Sequence, residues 1–364
     1  MIQYNLSNSG EVAERLKHST YNRANCATSF TGSNPVLSAI GLINETSDAL
    51  TPEASKHRKL TEGANDTQGN IRSRWVKIKP KERNMPNFLP ISRKLLVLSA
   101  LVEGNSICSI VRMTGTHKTT ILRVLQEAGE KAQETLDREM MNLQCKDVQV
   151  DEIWTFVGKK QKRCSAEEKL RGEVGDQYVF VALDADTKLV PAFRVGKRNL
   201  PMSVSFMREL QARIDTRFQL STDSFAPYLE AVDSVFGLDV DYAQIHKKYG
   251  EEIVQEKRYS PAQIIGITIK PLIGNPVRKR ISTSYVERQN LTMRMNMRRF
   301  TRLTNGYSKK LENLKAAIAL HFFHYNFMRI HQSLRVTPAM ESGLTNRIWT
   351  WEDLLSVNAE KRAA

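Results

Sequence analysis

The sequence predicts an α/β protein: a mixed sheet flanked by helices, preceded by an all-α helix-turn-helix domain and a poorly ordered N-terminal segment. Three observations carry this. Beyond residue 148, short β-branched and aromatic runs first form a meander and then alternate with amphipathic stretches. Between Ile91 and Ala128, apolar residues recur at helical spacing, punctuated by residues suited to capping. The first part of the chain is rich in Ser, Thr, Asn and Gly, with no sustained period.

A chain of 364 residues with 41 % hydrophobic content is long enough for two or three domains with true cores. Its net charge is +15 and its pI near 9.6. The excess is unevenly placed: Lys270 to Lys310 holds eleven Lys or Arg against the single acid Glu287. A polyanionic partner follows. Nucleic acid suits it better than an anionic membrane, because no basic amphipathic helix carries a lipid-facing aromatic stripe. No run approaches the roughly 18 apolar residues of a spanning helix, and the N-terminus lacks the apolar core of a signal peptide. Cys26, Cys108, Cys145 and Cys164 stand apart, with no CxxC pair, which argues against a zinc ribbon and for free thiols in a cytoplasmic protein.

Taken in order, residues 1–70 are expected to hold little stable structure. Residues 10–39 resemble the conceptual translation of a transfer-RNA gene, which implies either that translation starts further downstream or that the reading frame abuts such a gene. Residues 71–90 form a basic linker that opens with IRSRWVKIKPKER (71–83), read either as a solvated connection or as a DNA-contacting arm. In 91–130, Ile91, Leu95, Leu98 and Leu101 mark a first helix that Gly104 stops. Ser106 is placed to cap a second, and Thr116 a third whose Ile121, Val124 and Leu125 face inward. In this helix-turn-helix layout the last helix enters the major groove, so His117, Lys118, Thr120 and Arg123 point toward phosphates or base edges. Residues 131–147 read as a connector helix.

The domain from 148 to 335 opens with VQVDEIWTFV, a strand. QYVFVALDADTKLV and PAFRVGKR follow as a hairpin, with Asp184 and Asp186 as turn residues or, for Asp184, a metal ligand. Next come a helix at Leu200–Ile214, a short strand ending at Asp223, a helix in APYLEAVDSVF and a strand in VDYAQIHKKYG. A C-terminal tail occupies 336–364.

Asp151 sits inside an apolar strand, where a carboxylate is costly to bury unless a cation neutralises it. Asp223 ends another apolar run, and Glu287 opens a basic helix. Three carboxylates remote in sequence can converge on a divalent pair, the arrangement metal-assisted attack on a phosphodiester needs. On a helix, Leu291, Arg294 and Arg298 share a face with Glu287, so Arg294 and Arg298 would clamp phosphates, with Arg288, Arg299 and Arg302 extending the positive surface. His321 and His324 lie on the next helix, as buried, phosphate-bonding or metal-ligating groups.

DEIWTFVGKKQK, STDSFAPY, YVERQNLTMRMNMRRFTRLTNGYSKK and HYNFMRIHQSLRVTPAM, in that order, resemble transposases of the insertion sequence 1 family. The resemblance covers roughly Ile91 to Leu355. It implies a ribonuclease-H-like catalytic fold and an Asp-Asp-Glu triad carried onto Asp151, Asp223 and Glu287. It also implies two Mg²⁺ or Mn²⁺ ions and cut-and-join chemistry on double-stranded DNA at a mobile element's terminal inverted repeats. Holding two ends together implies at least a homodimer, at work on the nucleoid of a prokaryotic cell. The family's C-terminal signature falls on Asn326, Arg329, His331 and Thr337-Pro338, as structural support or DNA contacts. Two departures stand out: Ser224 follows the second Asp where the family often has Gly, and the family's Cys-rich zinc-binding segment is not visible. A DNA-binding regulator with an inactive catalytic domain and a non-transposing metal nuclease are the competing readings.

Overall fold

In the computed structural model, residues 89–250 and 264–356 are described. The expectations for residues 1–70 and for nearly all of the basic linker lie outside them. So does the end of the C-terminal tail.

Helix α1 (Ile91–Val102) follows Pro90 and buries Val97, Leu98, Ala100 and Val102. Gly104 ends it at φ +73°, in the left-handed region, and an added Cβ there would stand 2.7 Å from the Met295 carbonyl oxygen. α2 (Ile107–Thr114) is capped by Ser106, whose hydroxyl accepts the Ser109 N–H at 3.0 Å, and Gly115 closes it in a left-handed turn. The cap of α3 (Lys118–Glu139) is His117 and not Thr116: His117 Nδ1 accepts the Thr119 N–H, and Thr116 is buried. The turn at Gly115 carries Thr116 inward, so capping falls to the next residue. α3 then runs on without a break into the stretch read as a connector helix, one rod of 22 residues, but it ends at Glu139 and the remainder of that stretch is not helical.

The sheet has six strands in the order β3-β2-β1-β4-β5-β6. β1 (Asp147–Val157), β2 (Gly175–Asp184) and β3 (Phe193–Gly196) form an antiparallel meander. β4 (Gln219–Asp223) is parallel to β1, and β5 (Asp241–Tyr249) is parallel to β4. β6 (Ile264–Ile273) pairs antiparallel with β5 and was not anticipated from the sequence. At the turn after β2, Asp184 Oδ2 accepts both the Thr187 N–H at 2.9 Å and its hydroxyl at 2.7 Å, so this carboxylate serves the turn.

A short α4 (Ala166–Arg171) with a Ser165/Glu168 capping box sits in the charged loop after β1. α5 (Leu200–Arg213) and α6 (Ala226–Phe236) cover one face of the sheet, where Phe180 meets Phe206 and Tyr228. The other face carries α7 (Ser284–Asn296) and α8 (Leu311–Phe323), with Phe193 against Phe322 at 4.6 Å between ring centroids. α8 passes into a π turn, His324–Met328, where the Asn326 amide donates to the Val190 carbonyl and accepts its N–H, each at 3.0 Å. α3 crosses α8 so closely that a Cβ on Gly129 would lie 2.5 Å from Ala316 Cα. α9 (Pro338–Glu341) and α10 (Trp351–Ser356) fold back, and Trp351 Nε1 donates to Ser99 Oγ on α1 at 3.0 Å.

Among the described residues no helix is long and apolar enough to cross a membrane. Cys108, Cys145 and Cys164 are free thiols.

Candidate active site

β1 pairs with β2 from Val148 to Val157 but with β4 only from Asp147 to Val150. One edge of β1 is therefore free from Asp151 onward. β4 ends at Asp223, one residue past the Val150–Thr222 pair. Parallel pairing thus sets Asp151, partway along β1, beside Asp223 at the carboxyl end of β4. There, oxygens of Asp151, Glu152 and Asp223 all lie within 4.8 Å of one another. Glu152 was missed because adjacent residues of a strand point to opposite faces. The free edge lets both carboxylates turn to the same opening, and the signal available was a pair of consecutive acids in an apolar strand.

This cluster carries more negative charge than its surroundings balance. Burial pushes Asp151 up to about 7, the Glu152 carboxylate adds to it, and Asp223 and Glu287 add further. Burial also raises Glu152. The nearby cation is Arg198, with Nε 3.2 Å from Glu152 Oε2, Nη2 3.7 Å from Asp223 Oδ2, and its guanidinium 3.7 Å from the Phe225 ring centroid. Asp223 Oδ1 accepts the Phe225 N–H at 3.0 Å. Glu152 Oε1 is buried without a partner. Hard oxygen donors, an orphaned buried oxygen and a carboxyl of high proton affinity together fit a divalent cation of the Mg²⁺ or Mn²⁺ type.

Helix α7 is aimed at the cluster by β1 itself. At its N-terminus Thr283 makes no side-chain cap, and Ser282 Oγ accepts only the Ser284 N–H, at 3.1 Å. Instead Gln149 Oε1 accepts the N–H groups of Tyr285 at 2.9 Å and Val286 at 3.3 Å. Gln149 lies two positions before Asp151 on the same face of the strand, so helix and acid share one support. In the second turn of α7, the Asn290 amide donates to Asp151 Oδ2 at 2.9 Å. Glu287 lies close enough to raise Asp151, yet its Oε1 is bound by Lys247 of β5 and accepts the Thr283 hydroxyl at 2.7 Å. The structure brings Asp151 and Asp223 together with Glu152. Glu287 stands beside them, engaged with Lys247.

The basic residues divide. Arg294 keeps the α7 face and is half-buried; burial lowers its pKa, as does Arg302 beside it, while Asp151 opposes that shift. Arg298 does not share the Glu287 face: the helix ends at Asn296, Met297 takes extended backbone angles, and Arg298 opens a 3₁₀ turn. Arg299 is pushed down to about 10 by burial and donates to Ser308 Oγ at 2.9 Å. Arg288, Arg298 and Arg302 are exposed. Arg294, Arg299, Arg302 and Lys160 line a cleft of about 890 Å³ along the free edge of β1, with Trp154 and Tyr307 in its wall.

At the start of α3, His117, Lys118 and Arg123 are exposed and Thr120 is half-buried; Arg123 pairs with Glu127 at 3.8 Å. His321 is buried and His324 half-buried, and desolvation chiefly holds them down to about 3 and about 4, so both are neutral at physiological pH. Neither joins the carboxylate cluster, the one group of metal-ligating side chains found among the described residues.

Compared with family models and with curated proteins, the chain finds no match in either.

Proposed function

We propose that this chain is a transposase: a metal-dependent enzyme that binds the terminal inverted repeats of a mobile element, cuts DNA there and joins the freed strand to a target. The observation that carries the reading is the juxtaposition of Asp151 on β1 with Asp223 at the end of β4, with α7 and its Glu287 alongside and Arg294, which interacts with Asp151, lining a basic cleft. The strand order is compatible with the ribonuclease-H-like arrangement that the resemblance implies.

On this reading Asp151 and Asp223, with Glu152 or Glu287, hold Mg²⁺ or Mn²⁺. A divalent cation there supplies Lewis-acid stabilisation of the phosphoryl oxygens and makes an attacking oxygen easier to deprotonate. The protein's own groups do the rest. Arg294 and Arg302 bind strand phosphates beside the acids, and Trp154 offers a flat face to bases. Gln149 and Asn290 fix α7 against Asp151. Glu287 joins the acids only by leaving Lys247. The exposed residues His117, Lys118 and Arg123 on α3 dock duplex DNA, and two copies hold two ends.

The test is cleavage and strand transfer with DNA carrying the element's own ends and Mg²⁺. Asp151→Asn and Glu287→Gln should each lose activity at least a hundredfold while retaining end binding. Magnesium-dependent cleavage surviving in both overturns the assignment.

The Lys247–Glu287 contact favours a second reading, a DNA-binding regulator derived from such an enzyme. It predicts a gel shift on true ends without cleavage across several divalent ions.

A further inference from the structure

Between the helices α1–α3 and α8 lies a cavity of about 320 Å³, at the small end of the range for ligand sites. Leu101, Leu122, Leu125, Ala317 and Leu320 give it apolar walls. Three observations separate it from a gap in packing.

His321 lines the cavity at 2 % exposure with neither ring nitrogen bonded, and Asn313 lines it with its side-chain oxygen unbonded. Buried polar atoms are nearly always partnered, and leaving three of them unpaired in one small space is expensive, so together they call for a ligand. Being neutral, the imidazole presents one N–H donor and one acceptor nitrogen. Second, the rim is cationic, with Lys118, Arg298 and Lys309, the last placed 3.1 Å from the Tyr307 ring centroid. Third, Arg299, Asn305 and Tyr307 line both this cavity and the cleft along β1, so the two spaces share a wall.

Apolar walls ask for a ring system, unpaired donor and acceptor atoms among the lining ask for a heterocycle edge, and the basic residues ask for an attached anion. We propose that the cavity receives one unpaired nucleobase of a DNA strand lying in the cleft, its edge against His321 and Asn313 and its phosphate on the Lys118, Arg298 and Lys309 rim. This deepens the nucleic-acid reading above and rests on it.

The test measures binding of the full chain, in chelator, to two single strands of equal length and charge: an oligodeoxyadenylate and a wholly abasic deoxyribose-phosphate strand. One base seated in such a site is worth about 1–3 kcal/mol, so wild type should prefer the base-bearing strand by about fivefold or more. Ala317→Phe, which fills the cavity, and His321→Phe, which removes both nitrogens while keeping a buried ring, should each erase that preference and leave abasic binding unchanged. Thermal melts identify any variant that fails to fold, and either variant alone suffices. Equal wild-type affinity for the two strands, or a preference that survives in the folded variants, overturns the proposal. Free deoxyadenosine monophosphate that binds wild type but not Ala317→Phe, with no base preference in strands, also overturns it in favour of a free nucleotide. Failure to bind either strand removes the nucleic-acid reading itself, a distinct result.

Discussion

The Asn290 amide donates to Asp151 Oδ2 at 2.9 Å, one helical turn beyond Glu287, and so ties the α7 helix to the acid on β1. Hydrogen bonds to a carboxylate favour its charged form. Asn290→Leu should therefore raise Asp151 further above about 7. Divalent cations bind the deprotonated group, so Mn²⁺ affinity measured by calorimetry from pH 6 upward should shift its midpoint upward by about one pH unit, the scale of one charged hydrogen bond. An unmoved midpoint would show that this amide does not tune the acid.

Asp151 also makes stability depend on pH. Its folded value of about 7 stands above the ordinary 3.8, so the folded state holds the proton more tightly than the unfolded chain. The stabilisation is complete below about pH 4 and is lost as pH rises through about 7. Without divalent ions, Asp151→Asn should therefore match wild type at pH 4 and exceed it at pH 8 by about 1–3 kcal/mol. Urea denaturation at the two pH values measures this. Glu152 is raised in the same direction and should leave the variant a residual slope.

Lys247 competes with any cation for Glu287. The Glu287 side chain is 44 % exposed, and pairs of that kind contribute less than about 1 kcal/mol. Lys247→Met should keep the melting temperature within a few degrees and tighten Mn²⁺ binding several-fold. Weaker binding would mean that Lys247 positions the acid rather than withholding it.

The crossing of α3 and α8 at Gly129 tolerates no side chain, since an added Cβ would lie 2.5 Å from both Cα and Cβ of Ala316. Overpacking of this kind costs about 1–3 kcal/mol. Gly129→Val should lower stability by at least that much in chemical denaturation, and a neutral result would mean that the two helices slide apart at little cost.

Much of this architecture was legible where period and punctuation agree. β1, the β2–β3 hairpin, α5, β4, α6 and β5 fall where alternating apolar runs and turn residues place them, and Ser106, Gly104 and Gly115 act as local chemistry requires. β6 was not legible, because its run holds Gly266 and Pro271 and shows largely exposed isoleucines. Such a strand survives only at a sheet edge, a fact of topology. Glu152 was missed because the strand period assigns it to the opposite face from Asp151, while its use depends on how far β4 extends along β1. Arg298 was placed with Glu287 on the assumption that α7 continues past Asn296. The partner of Glu287 lies on β5, across a contact that no local pattern encodes.

α3 is one unbroken rod, pinned partway along its length where it crosses α8. At about 1.5 Å per residue, its 22 residues span roughly 33 Å from the exposed His117 end to its far end, past the Gly129 crossing. If His117, Lys118 and Arg123 grip a duplex as proposed, the close crossing with α8 at Gly129 keeps that grip from swivelling independently of the rest of the fold. On that proposal, moving the recognised sequence by about five base pairs, half a turn of duplex, would present the wrong side of the backbone to the acids.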